Sequence, residues 1–179
     1  MDKLLDPLLV VVFLMNFLAL GASRLRTVTY AVAMQGILLG TMILLVHPSF
    51  SLRVSLVAAA AVVLKGLVIP RMLFHAMREV SIRREIDPIV GYIASLLLGA
   101  VGTGLAVVFA RTLPIAQEHV GSLMVPASLS AVLTGFLILA TRLKAITQVL
   151  GYLVLENGIF IFGLLLHEAM PFLVEVGVL

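Results

Sequence analysis

The sequence predicts an all-α fold, a bundle of about six membrane-spanning helices, and three observations carry that prediction. Hydrophobic residues make up 62% of the 179 residues and charged ones 12%, whereas a soluble domain is about half apolar and about a quarter charged. With the 14 glycines, lipid-compatible residues number roughly 125, which at about 20 per span fills about six crossings and leaves little outside the bilayer. They also fall in six long runs between short linkers, without the period-two alternation of membrane barrel strands. Helices follow, because a segment in lipid must satisfy its own backbone hydrogen bonds. A soluble enzyme, a nucleic-acid binder and any sizeable extramembrane domain are excluded.

The first run, 4–22, starts beside Met1 and carries Asp6 and Pro7. It lacks a small-residue cleavage site followed by a polar chain, so it reads as a span and not as a cleaved signal peptide. The second, 28–46, contains Gln35, of a residue type that often hydrogen-bonds between membrane helices. The third, 54–76, has small residues at Ala58 to Ala61, Lys65 near its centre and Pro70 beyond it. Pro70 has no N–H for the carbonyl of Gly66, so a kink is expected there, with freed backbone beside Lys65. The polar stretch from Ala76 to Pro88 follows; it suits either a solvated loop that sets topology or a docking point for a partner subunit. The fourth run, 88–110, carries Gly99, Gly102 and Gly104, which allow close packing. The fifth, 123–140, leads through Arg142 and Lys144 into the sixth, 146–166, which holds Tyr152, Glu156 and Asn157.

The linker charges set an orientation. Arg24, Arg26, Arg71, Arg78, Arg83, Arg84, Arg142 and Lys144 fall on one side, while Lys3, Arg53 and Arg111 fall on the other. The positive-inside rule puts the first group in the cytoplasm and the N-terminus outside, in a cytoplasmic membrane. This also accounts for a pI near 9.7 without nucleic acid. The chain has no cysteine, and its histidines at 47, 75, 119 and 167 stand apart. No metal or redox centre is expected within it.

Lys65 and Glu156 carry the functional information. Each lies about ten residues from either end of its span, where a charged side chain costs about 2.5–3.5 kcal/mol on insertion scales. Both should therefore face protein or water. Low-dielectric surroundings disfavour the charged form of any ionisable group, a property that proton relays use. Three fates stand open for the pair. Lys65 could snorkel, although the basic end lies about 16 Å away, beyond a lysine's usual reach. The two could form an inert ion pair in a structural spacer, or at least one of them could relay protons.

Certain of these residues carry a family resemblance. The stretch Gln148-Val-Leu-Gly151-Tyr152-Leu-Val-Leu-Glu156-Asn157-Gly158, then Pro171-Phe-Leu173-Val174-Glu175-Val-Gly177, with Tyr30 and Gln35 on the second span and Lys65 and Pro70 on the third, resembles hydrogenase-4 component E. That family supplies a membrane subunit of complex-I-like nickel-iron hydrogenases such as formate hydrogenlyases. The resemblance covers most of the chain and is specific at the GYxxxENG and KxxxxP patterns. Its C-terminal part, 141–179, is also similar to the small K subunit of respiratory complex I, which divides the single membrane domain into a five-helix region, 1–140, and a K-like region. The resemblance implies a non-catalytic subunit that helps move protons through Glu156 and Lys65, with Tyr152, Asn157, Gln35 and Glu175 as accessory polar groups. It implies no cofactor in this chain. Nickel-iron and iron-sulfur centres would sit in partner subunits, and antiporter-like membrane-arm subunits would surround it in lipid. A K-like subunit of a multi-subunit cation/proton antiporter is the rival implication. Members of the family continue into a last helix with a further carboxylate; beyond Leu179 two alternatives stand open, a seventh helix that continues the chain or a version of the family without it.

Overall fold

The computed structural model describes residues 2–46, 52–79, 88–113 and 122–169. They form six helices: α1 Asp2–Gly21, α2 Leu25–Val46, α3 Leu52–Glu79, α4 Tyr92–Thr112, α5 Met124–Thr141 and α6 Ala145–Ala169. All six are long and apolar enough to cross a membrane. Each expected span is present, with ends displaced by only a few residues. Successive helices pack as neighbours, as short connections favour, except α3 and α4.

Helices α1, α2, α5 and α6 form the centre, where α5 packs along α6, α1 touches α2 and α5, and α2 touches α6. Glycines set the closest of these contacts. A Cβ on Gly158 would meet Val132 N at 2.7 Å, and one on Gly151 would meet Ile138 Cγ2 at 2.8 Å, so the two backbones approach as small residues permit in membrane helix pairs. Helix α3 lies outside against α2, and α4 outside against α5 and α1. Both present most of their surface outward, including Leu56, Leu67, Val101 and Leu105. That outward apolar surface suits lipid.

The buried interior has two apolar clusters. One gathers Leu9, Val12, Leu39, Met42, Met124 and Ile161; the other gathers Leu20, Leu25, Val28, Ile138, Leu150 and Val154. In each central helix the boundary between them falls on buried polar residues: Asn16 in α1, Gln35 in α2, Ser128, Ser130 and Thr134 in α5, and Asn157 in α6. A polar layer therefore crosses the bundle at mid-height. Thr103 Oγ1 and Ser130 Oγ, 2.8 Å apart, extend it to α4.

Each end of the bundle is tied by a polar side chain. Asp6 Oδ1 accepts from Leu123 N at 3.4 Å, joining α1 to the start of α5. At the other end Arg142, 2% exposed, donates from Nη2 to Leu20 O at 2.9 Å and to Ser95 Oγ at 3.4 Å, and from Nη1 to Val90 O at 3.2 Å. Its guanidinium also lies 4.6 Å from the Tyr92 ring centroid. Arg142, counted in the sequence as a topology charge, thus joins the ends of α1 and α5 to the start of α4.

Candidate functional site

Local backbone chemistry sets the position of Lys65. Pro70 cannot bond the carbonyl four residues back, and the chain answers with a π-turn over Leu64–Val68, in which Ile69 N–H reaches Leu64 O. Where a kink is expected, the structure has a wider turn inside an otherwise continuous helix, a form that recurs at functional sites. Gly36 of α2 brings that turn close, since a Cβ there would collide with the Cβ of Lys65.

Lys65 Nζ lies 2.9 Å from Glu156 Oε1 and donates to Asn157 Oδ1 at 3.0 Å. It also sits 5.0 Å from the Phe160 ring centroid, a cation–π distance. Snorkelling is thereby set aside: the ammonium turns sideways to α6 and not toward the basic end. From Asn157 the hydrogen bonds continue inward. Asn157 Nδ2 donates to Gln35 Oε1 at 3.3 Å, and Gln35 Nε2 donates to Asn16 Oδ1 at 2.8 Å. Asn16 Nδ2, at the far end, is buried without a partner among the described residues.

The order of donors gives the chain a polarity. Every amide turns its oxygen toward Lys65 and its nitrogen away, so three aligned dipoles present their negative ends to the ammonium. Hydrogen bonds in such a row polarise one another in a low-dielectric interior. The same row is a poor proton wire, because an amide N–H is a donor that does not titrate. It holds the cation in place. Exchange of a proton must then involve the ammonium, the carboxylate and water.

The carboxylate is placed for exchange. The Glu156 side chain is 39% exposed against 15% for Lys65, so Glu156 opens to the outside of the bundle between α3 and α6 while Lys65 stands behind it. A cavity of about 10 Å³ is lined by Val32, Lys65, Ile69, Leu153 and Asn157. That volume is about the minimum for one water.

Of the residues picked out in the sequence, Lys65, Glu156, Asn157 and Gln35 come together, and Pro70 shapes the turn beneath them. Tyr152 does not join them: it lies one turn from Glu156 on the outer face of α6, 58% exposed. Glu175 lies outside the described residues. Asn16, which ends the amide row, was not picked out; its one signal is a lone amide in the middle of the first apolar run.

The close approach at Gly36 is testable. Gly36→Ala must part α2 from the π-turn, and overpacking of this kind costs about 1–3 kcal/mol. Thermal unfolding in detergent should show the loss, whereas Gly104→Ala, where nothing lies within 4 Å of the added carbon, should leave the midpoint unchanged.

Comparison with known proteins adds one relative. An uncharacterized protein of Mycobacterium tuberculosis is 37% identical over 124 residues, 68% of this chain and 56% of that protein. The chain thus spans little more than half of the relative's length. No family model matches the chain, and no solved structure matches it significantly.

Proposed function

We propose that the chain is a membrane-arm subunit of a complex-I-like hydrogenase, of the formate hydrogenlyase type, and that it helps translocate protons while partner subunits carry out the redox chemistry. The reading rests on one observation above others, the Lys65–Glu156 pair of 2.9 Å at the middle of two membrane-length helices. The GYxxxENG and KxxxxP resemblance supplies the complex. Moving one proton from Lys65 Nζ to Glu156 Oε1 converts the ion pair into a neutral amine and a neutral acid, without separating charge in the bilayer. Glu156 then meets the next carrier on its open side, and Lys65 is recharged through water. The N-terminus faces outward and the end bearing Arg24, Arg26, Arg71, Arg78, Arg142 and Lys144 faces the cytoplasm.

Purification of the tagged chain from its native membranes in mild detergent tests the assignment. A nickel-iron protein and antiporter-like subunits should co-purify with it. An intact complex without nickel would point instead to the K-like subunit of a multi-subunit antiporter.

The formed ion pair also favours a second reading, an inert spacer. The two readings part on a double-mutant cycle. Lys65→Met alone leaves a carboxylate unpaired and should destabilise the protein, whereas Lys65→Met with Glu156→Met should restore stability. Under the relay reading the double variant assembles but does not pump; a double variant that pumps normally would establish the spacer.

A further inference from the structure

Helices α2 and α3 keep one antiparallel register along their contact. Gly36 abuts Lys65, Ile37 abuts Gly66, and the Tyr30 and Phe74 rings lie 5.1 Å apart between centroids. One turn further toward the basic end, the same register sets Arg26 of α2 opposite Arg78 of α3. Both are exposed. Among the described residues neither makes an ion pair, and the nearest acid in sequence, Glu79, is taken by His75 at 3.2 Å. Arg71 lies two turns back on the same stripe of α3 as Phe74 and Arg78, and is also exposed.

Two guanidinium groups facing one another across a helix pair repel, and an anion between them turns that repulsion into attraction. Depth in the membrane identifies the anion. Helix α3 has 28 residues, about 42 Å of helix against about 30 Å of hydrocarbon, so its last turns emerge at the level of the lipid headgroups. Tyr30, 64% exposed, marks that boundary as interfacial tyrosines do. Paired arginine forks fit phosphate oxygens, and basic pockets between membrane helices on this side hold anionic headgroups. We propose that Arg26 and Arg78, with Arg71 beside them, bind the phosphate of an anionic phospholipid whose acyl chain runs down the exposed face at Tyr30 and Met34.

The test is native mass spectrometry of the full chain in detergent, titrated with dioleoylphosphatidylglycerol or dioleoylphosphatidylcholine. Phosphatidylglycerol should bind more tightly than phosphatidylcholine. Arg26→Gln with Arg78→Gln should weaken phosphatidylglycerol about thirtyfold and leave phosphatidylcholine unchanged. Arg53→Gln with Arg111→Gln, at the opposite end, should change neither. Arg26→Lys with Arg78→Lys keeps the charge but loses the forks, should fall between, and serves if the glutamine variant does not fold. Equal affinity for the two lipids, equal binding by wild type and the Arg26/Arg78 variants, or equal losses from the Arg53/Arg111 variant would overturn the site. Displacement of the lipid by millimolar inorganic phosphate would overturn the lipid as ligand in favour of a soluble anion.

Discussion

In the proposed hydrogenase complex, Glu156→Gln should abolish proton translocation, lowering its rate by about two orders of magnitude or more, while dye-linked hydrogen oxidation proceeds as in wild type. The geometry explains both halves. Glutamine matches the size of glutamate and can still accept from Lys65 Nζ through its oxygen, so the contacts of Lys65 with Asn157 and Phe160 are retained. What it cannot do is take up and release a proton, and removing a positioned proton-transfer group typically costs about 10²- to 10⁴-fold. Hydrogen oxidation with an artificial acceptor bypasses the membrane arm, because the reacting centres belong to partner subunits in the proposed assembly. The measurement is acidification of inverted vesicles beside dye reduction in the same preparation. Normal pumping by the variant would remove Glu156 from the pathway.

The sequence disclosed much of this site, for a definite reason. Lys65 and Glu156 stand out because a charge in an apolar run is conspicuous at any register, and the six spans stand out because each run is about as long as the hydrocarbon is thick. Pairing was not legible. It depends on α3 and α6 both packing on α2, and on Gly36 admitting the π-turn, which are facts of tertiary contact. Tyr152, four residues from Glu156 on α6, is exposed, and helical spacing alone does not say which neighbour it meets. Asn16 was passed over because one amide in a hydrophobic helix is unremarkable until Gln35 reaches it across the bundle. At Pro70 the sequence suggests a kink, whereas the π-turn over Leu64–Val68 is visible only in the backbone.

Arg142 was also misweighed, and it carries the largest stability change expected here. Arg142→Leu should destabilise the chain by on the order of 3–5 kcal/mol, since three charge-assisted hydrogen bonds disappear and the buried acceptor on Leu20 and the half-buried one on Val90 lose their donor. Orientation in the membrane should survive, because Arg24, Arg26, Arg71 and Arg78 keep the positive bias at that end. Arg142→Lys separates the two roles. If residue 142 served only as a positive charge in a loop, lysine would be silent. A residue that clamps Leu20 O, Val90 O and Ser95 Oγ from a planar fork loses part of that reach when the fork becomes a single ammonium. Lysine should therefore cost a substantial fraction of the leucine penalty, read as a lower unfolding midpoint in detergent with unchanged topology by terminal labelling. A silent lysine variant would return Arg142 to the loop charges, and the junction of α1, α4 and α5 would then be held by packing, such as Leu96 on Gly21 and Leu20 on Gly99.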